Sequence, residues 1–494
     1  MMKKQIALLF ALSVAMMLNA NNINVTNIKI TGQNTTAGVN NAANYSLVQF
    51  DLSWENSWRT SSAPTNWDAA WVFVKYRVGA GDWQHARLNN DGHSGGGVTA
   101  ATIAAGLIDP GSAFNATTNP ALGVFVYRSA NGTGTFTITG AQLRWNYGAN
   151  GVTDNATVDV QVFAIEMVYV PQGAFTVGSG GTESGSFTNG SRVSEATVAL
   201  SISSESELTI ANSAGNLWGT STSGDNTIGG TGSLPTAFPK GYAGFYCQKY
   251  EITQQQYVDF LNTLTQTQAT NRKYTGSGNR YAITGSTVGS YTTTNPYVAC
   301  NWLSWVDGAA YSDWAGLRPM TELEFEKACR GTLAQVANEY AWGNTTFFAA
   351  SDITNPGASN ETTNTSGATV VFGNKGNVQG PMRVGVFAKS GTTRVLSGAS
   401  YYGIMELSGN LWEQAVSVGN ATGRAFTGVH GNGALNTDGN ADETAWPGAT
   451  GSGFRGSSWD SINDKYLTVS CRVYAASELG RNQFIGFRAV RRVP

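Results

Sequence analysis

Apolar and polar residues alternate along the first third of the chain, and this pattern predicts β-strands. Residues 45–54 and 156–163 alternate at a period of two, while residues 70–78 form a continuous β-branched and aromatic run. Glycine, asparagine and aspartate separate these runs, and no helical period of useful length interrupts them. A series of short strands of this kind predicts an antiparallel β-sandwich over residues 21–165.

The pattern changes after Glu166, where short helices enter a loop-rich β scaffold. Residues 167–178 predict a strand, a turn and a second strand. Capping boxes predict helices that begin after Thr253, Ser304 and Thr321, and these helices are expected to end at Leu264, Gly316 and Gly331. We therefore predict an α+β domain over residues 166–494, with a Gly/Ser/Thr-rich insertion at about residues 179–240.

Composition excludes several classes of protein. The 494 residues include 60 glycines and 14 tryptophans, and only 13% of them are charged, about half the usual share. Disordered chains have high charge and few aromatic residues, which is the reverse of this composition. The net charge of −2 shows no excess of the positive charge with which proteins bind nucleic-acid phosphates. No run of about 18 apolar residues follows the N-terminal region, so no membrane span is predicted.

The N-terminus has the pattern of a secretory signal over residues 1–20. Lys3 and Lys4 precede an apolar stretch over residues 6–18, and Asn19 and Ala20 follow as the small residues of a cleavage site. This predicts a secreted, extracellular or cell-surface protein, with the periplasm as the open alternative. In such an oxidising compartment the four cysteines favour two disulfides.

Eight short motifs follow one another in order between residues 167 and 492. They occupy residues 167–178, 245–253, 301–316, 318–331, 340–344, 408–413, 455–459 and 486–488. The most diagnostic is Arg318-Pro-Met-Thr-Glu-Leu-Glu-Phe-Glu-Lys-Ala-Cys-Arg-Gly331. Together they resemble the formylglycine-generating enzyme (sulfatase-modifying factor) family, which implies an irregular C-type-lectin-like fold for residues 166–494. The resemblance leaves the N-terminal half uncovered.

The oxidase of that family uses two cysteines just after an Arg-Gly-Gly-Ser-like block, and one of them binds copper as a thiolate. Thiolates are soft ligands that select Cu(I), whereas serine and aspartate provide hard oxygens. Here the corresponding interval runs from Ser457 to Ser470 and contains no cysteine. The chain therefore resembles a family domain without the catalytic pair, for which we expect no copper and no catalytic residues.

The resemblance also implies structural roles for cysteines. Cys329 matches a structural cysteine of the family, whose partner stands where this chain has Cys471. This implies a Cys329–Cys471 disulfide and leaves Cys247 and Cys300 as the second pair.

A calcium site is implied near the Gly-Asn-x-Trp-Glu block, where family members bind calcium through backbone carbonyls and the glutamate. The candidates are the carbonyls of Ser408, Gly409 and Leu411 and the carboxylate of Glu413. Ligation by oxygen alone suits calcium. The alternative, in which Glu413 caps or pairs locally, remains open.

Histidines and tryptophans are expected to be structural. We predict surface or loop positions, without metal-ligand spacing, for His85, His93 and His430. We predict core positions, not a sugar platform, for Trp302, Trp305, Trp314 and Trp412.

Three functions follow from these features. The favoured one is a non-catalytic binding or structural surface protein, whose partner is an extracellular protein, a glycan or further copies of the chain. The second is a formylglycine-generating oxidoreductase that acts on a sulfatase cysteine. The third is a lectin-like surface diversified by retroelement mutagenesis, in which ligand would meet Asn463, Arg481, Asn482 and Gln483.

Overall fold

The computed structural model describes residues 23–96, 101–190, 198–221, 227–389 and 391–494. The predicted signal segment, residues 1–20, lies outside these ranges. The β-strands greatly outnumber the short helices, and the α+β class is confirmed.

Eight strands make up the N-terminal region. They are β1 (Asn24–Asn34), β2 (Tyr45–Arg59), β3 (Asp68–Val78), β4 (Gln84–His85), β5 (Ala101–Leu107), β6 (Ala121–Arg128), β7 (Gly132–Trp145) and β8 (Val158–Val170). Strands β1, β2 and β7 form a three-stranded antiparallel sheet. It packs against β3, β6 and β8 through an apolar core, so the predicted sandwich is confirmed.

Strand β3 is buried on both faces, which explains its continuous apolar sequence. Val72 and Val74 contact the core of the sandwich. Trp71 and Phe73 point to the opposite side, where they join the main core of the second half. The strand therefore works as a shared wall between the two halves.

Strand β8 connects the halves within one sheet. Fourteen further strands follow it: β9 (Phe175–Val177), β10 (Phe187–Thr188), β11 (Leu200–Ile202), β12 (Leu208–Ile210), β13 (Trp218–Gly219), β14 (Gly232–Leu234), β15 (Phe245–Gln248), β16 (Ile283–Thr284), β17 (Thr292–Thr293), β18 (Arg318–Pro319), β19 (Trp412–Val416), β20 (Ser452–Arg455), β21 (Ile485–Gly486) and β22 (Ala489–Arg492). The large sheet has the order β18-β22-β15-β8-β3-β6-β5, with β4 paired to β3. The predicted boundary after residue 165 thus falls inside a strand.

The helices begin where their capping residues predict. The described residues form six helices: α1 (Gln254–Leu261), α2 (Gln266–Arg272), α3 (Trp305–Trp314), α4 (Glu322–Arg330), α5 (Arg394–Ser397) and α6 (Ala421–Arg424). Thr253, Ser304 and Thr321 form complete capping boxes at α1, α3 and α4. The first predicted helix extends too far, since α1 ends at Leu261 with Asn262 as its C-cap, and a further capping box at Thr265 starts α2. The short helices α5 and α6 were not predicted.

Three 3-10 turns complete the described structure, at Tyr147–Asn150, Ala449–Gly451 and Asp464–Leu467. The described parts of the predicted insertion contain β10 to β14. Within the described ranges, no helix is both long enough and apolar enough to cross a membrane.

Candidate functional site

The segment that follows β20 is the interval in which the resemblance places the family's catalytic cysteines. It leaves the strand at Arg455, which pairs with Glu413 of β19. Gly456 and Ser457 both adopt left-handed backbone conformations, with φ of 89° and 70°. These two residues turn the chain sharply into the loop that precedes the Asp464–Leu467 turn.

Hydroxyl and carboxylate groups fill this loop. The Ser458 hydroxyl donates to Asp460 at 2.8 Å and lies 3.1 Å from the Ser461 hydroxyl. Asp460 also accepts from the Gln483 amide at 3.3 Å. The cluster offers oxygen atoms, which are poor ligands for Cu(I).

A buried ion network holds both ends of the segment against α4. Its members are three arginines and three glutamates, each 3% exposed or less: Arg330, Arg455, Arg472, Glu322, Glu326 and Glu339. The Arg455 guanidinium reaches Glu322 at 2.9 Å and Glu326 at 2.8 Å. Arg472 binds Glu322 at 2.6 Å.

The spacing along α4 explains why the network forms. Glu322, Glu326 and Arg330 recur every four residues and therefore share one face of the helix. Ser470, at the end of the segment, accepts from Arg330 at 2.9 Å and donates to Glu326 at 3.2 Å. The three positive and three negative charges of the network balance one another. Sequence reasoning missed it, although the four-residue spacing on α4 was a visible signal.

Polar groups of the candidate calcium residues already have partners in the protein. The Arg488 guanidinium pairs with the Glu413 carboxylate, and its Nε lies 2.9 Å from both carboxylate oxygens. The Ser408 hydroxyl donates to the Leu467 carbonyl at 2.7 Å, and the Leu411 amide donates to Glu251 at 2.9 Å. Glu413 therefore forms a buried ion pair with Arg488, while the calcium site itself stays a prediction. The local-pairing alternative describes this glutamate better.

The predicted disulfides are absent among the described residues, which include all four cysteines. Each thiol is free and buried. Cys247 lies beside Val168 and Val490 in the large sheet. The Cys300 amide instead donates to the carbonyl of Ile252, which is five residues after Cys247. Cys329 packs in the same core cluster as Cys247, and that cluster does not include Cys471. Neither predicted pair is formed.

Burial also makes these thiols unreactive. It raises the pKa of Cys471 to about 11, and it also raises the pKa values of Cys247, Cys300 and Cys329. Since the thiolate is the nucleophile and the metal ligand, none of the four is prepared for oxidase chemistry.

The proposed ligand-surface residues serve largely as structural contacts. Arg481 binds Asp307 at 2.7 Å and 2.8 Å and donates to the Asn271 carbonyl. The carbonyls of Asn482 and Gln483 accept from Trp302 and Asn301. Asn463 is exposed and caps the turn at Asp464–Leu467. Arg481 in particular anchors the C-terminal loop to α3.

The histidines and tryptophans show one clear correction. His85 was expected at the surface but is buried, with Nε2 2.6 Å from the Leu122 carbonyl and its ring stacked on Phe73. His430 is also buried, where it accepts from the Arg492 amide. The expected core positions hold for Trp305, Trp314 and Trp412, while Trp302 is half-buried and stacks on Tyr274.

Two clefts open where the sandwich meets the second half. The first, of about 670 Å³, has walls from β1, β8, α1 and α3. Phe163 and Trp314 pack edge to face in its aromatic wall. Asp259 is its acidic group, and burial raises the pKa of this carboxyl to about 6 against a hydrogen bond from Gln255. Chemically, the cleft suits an apolar group that carries one hydrogen-bond donor.

The second cleft, of about 610 Å³, contains a buried amine. The Lys75 ammonium donates to the Gly433 carbonyl at 2.8 Å and lies 5.2 Å from the Trp314 ring centre. Burial lowers the pKa of Lys75 well below its ordinary value, and the nearby Asp313 opposes this shift. The lysine thereby fixes the loop at Gly433 against the sandwich.

Asp313 predicts a pH dependence of stability in this region. Its buried carboxylate accepts backbone N–H groups from Asn432 at 2.8 Å and Asp442 at 3.0 Å, yet burial raises its pKa from 3.8 to about 7. The folded state therefore binds a proton more tightly than the unfolded state, and stability should fall as pH rises across this window. We expect Asp313→Asn to flatten this slope in urea unfolding measured at several pH values. An unchanged slope would contradict the assignment.

Comparison with known proteins identifies the scaffold. Residues 152–493 match the family described as sulfatase-modifying factor enzyme 1-like domain, which confirms the resemblance found in the motifs. The match spans more than half of the chain and begins before β8. Among curated proteins, no match to the chain is found.

Proposed function

Because the chain belongs to the sulfatase-modifying factor enzyme 1-like family, we propose that it is a secreted binding or structural protein that retains this scaffold without its oxidase chemistry. The observation that carries the proposal is the loop from Ser457 to Ser470. Its side chains provide hydrogen-bonded hydroxyls and carboxylates at the position of the family's copper-binding thiols. Function depends on the groups in the site and not on the fold that holds them.

An oxidase assay tests the loss of activity. We expect the purified full chain to form no aldehyde on a peptide that carries a sulfatase-type cysteine, with Cu(I) supplied. Ellman's reagent should also fail to label the native protein, because its thiols are buried and protonated. A family member that has the cysteine pair provides the positive control. Aldehyde formation by this chain would restore the oxidoreductase hypothesis.

Its partner is an extracellular protein, a glycan or another copy of the chain. The low charge favours hydrogen-bonded contacts over electrostatic steering, since only 13% of residues are charged. Electron microscopy of the mature protein with and without EDTA separates these partners. Filaments would identify copies of the chain, and their loss in EDTA with recovery on added calcium would establish a role for calcium. Monomers in both conditions would remove self-assembly from the proposal.

A retroelement-diversified surface receives less support. Such a surface needs side chains that vary without cost to the fold. Arg481 instead forms a salt bridge to fully buried Asp307 and also binds backbone carbonyls. Replacement of this arginine would leave a buried carboxylate with Arg272 as its remaining cation.

A further inference from the structure

Three ionisable residues meet in the wall shared by the two halves. Lys249, Asp68 and Glu166 have side chains 4% exposed or less. The Lys249 nitrogen lies 3.2 Å from Asp68 Oδ2 and 2.9 Å from Glu166 Oε2. We propose that Lys249 and Asp68 condense into an intramolecular isopeptide bond, with Glu166 as the proton shuttle.

Strand register places the three groups together. In the large sheet β3, β8 and β15 are neighbours, and Asp68 faces Val168 while Gln248 faces Met167. Successive residues of a strand alternate between faces, so Asp68, Glu166 and Lys249 share one face. The lysine reaches across β8, and the bond would join the first and third of three adjacent strands.

The Asp68 carboxyl is held in a geometry that suits attack. Its Oδ1 accepts from the Trp58 amide at 2.9 Å and from the Ser57 hydroxyl at 2.8 Å. These two donors would stabilise the oxyanion that forms when an amine adds to the carboxyl carbon. Its Oδ2 faces the lysine and accepts from the Trp54 indole at 2.9 Å.

Glu166 is placed to transfer protons. Its Oε2 accepts from Lys249, while its Oε1 is buried with no hydrogen-bond partner among the described residues. Burial raises the pKa of Glu166, Lys249 opposes this, and the charges of Asp68 and Glu55 add to the rise. A carboxyl that is readily protonated can receive a proton and return it.

The resting state is an ion pair, and the reaction starts from it. Burial lowers the pKa of Lys249, but Glu166, Tyr250 and Asp68 outweigh this effect and raise it well above the ordinary value. Glu166 relays protons from the ammonium to the Asp68 carboxylate, which leaves a neutral amine and a neutral acid. The nitrogen then bonds to the carboxyl carbon, the C–Oδ2 bond breaks, and Oδ2 leaves as water.

The balance needs no oxidant, metal or cofactor. One ammonium and one carboxylate give one secondary amide and one water, while Glu166 ends as it began. Condensation removes two buried charges from a region where charges are costly to hold. Fixed contact between the groups replaces the encounter of two separate molecules, which favours reaction strongly.

Peptide mapping of the full chain by tandem mass spectrometry tests the proposal. The expected result is one branched peptide that joins the Asp68 and Lys249 segments and is lighter than their sum by one water. Buried Lys75 donates to a backbone carbonyl and not to a carboxylate, so its peptide should stay linear in the same digest. Two linear peptides with unmodified Asp68 and Lys249 would overturn the proposal.

Two variants test the roles of the residues. Lys249→Arg keeps a positive charge at the site but lacks the amine, so its digest should contain only linear peptides. Glu166→Gln keeps similar packing but cannot relay protons, and we expect the branched peptide to be lost or strongly reduced. A fully branched Glu166→Gln protein would refute the shuttle. On denaturing gels, the cross-linked wild type should migrate faster than Lys249→Arg.

Discussion

Replacement of Arg455 by methionine is expected to destabilise the protein by about 3–5 kcal/mol, because it breaks a buried ion network. Arg455 is fully buried and holds both Glu322 and Glu326. Without it, the nearest cation left to Glu326 among the described residues is Arg330, at 3.4 Å, and Arg330 already binds Glu339. Chemical denaturation followed by tryptophan fluorescence measures the change.

An exposed pair provides the matched control for Arg455. Arg77 lies 2.8 Å from Asp159, with 38% and 54% of their side chains exposed. Arg77→Met should change stability by less than about 1 kcal/mol, since solvent screens surface pairs. The loss of stability in Arg455→Lys should fall between those of Arg455→Met and Arg77→Met, because lysine restores the charge without the two-pronged guanidinium. Equal effects of the Arg455 and Arg77 substitutions to methionine would show that the network contributes little.

The second large effect is expected at Trp71. Its indole is fully buried, donates to the Ala315 carbonyl at 2.8 Å and lies 4.4 Å below the Arg491 guanidinium. Gly106 and Gly123 leave room for the ring, since an added Cβ at either would come within 2.6 Å of it. Trp71→Ala should cost about 3–5 kcal/mol through the cavity that it creates.

Trp83→Ala is the comparison for Trp71. Trp83 is half-buried and packs under the Arg77 guanidinium at 4.8 Å. Its loss should lower the denaturation midpoint much less than the loss of Trp71. Gly123→Ala approaches the same site from the other side and should also destabilise strongly, because the new methyl group overlaps the indole. If Gly123→Ala unfolded at the same denaturant concentration as the wild type, the Trp71 indole would have to move aside easily.

Local signals in the sequence predicted the elements that depend on neighbours along the chain. The capping boxes at Thr253, Ser304 and Thr321 need only three residues each, and the structure confirms all three. The run over residues 70–78 correctly indicated a strand, and the structure shows that both of its faces are covered. The motif order likewise predicted the family that the comparison confirms.

Predictions failed where the decisive partner lies far along the chain. The sequence left the role of Glu413 open between a calcium ligand and local pairing, because its partner Arg488 lies 75 residues away. His85 carries no mark of burial in its own segment, yet Phe73 stacks on its ring. The cysteine pairing assumed proximity that strand register denies, since Cys300 lies opposite Ile252 and not Cys247. Contacts of this kind arise from the tertiary arrangement, which one sequence does not encode in its local pattern.

Strand β8 has a consequence for the evolution of such chains. It pairs with β3 of the sandwich on one side and with β15 of the family domain on the other. A recombination event that exchanged the first 165 residues for an unrelated domain would cut this strand and leave β15 without a neighbour. We therefore expect the two halves to be inherited together, as one unit, wherever β8 bridges them.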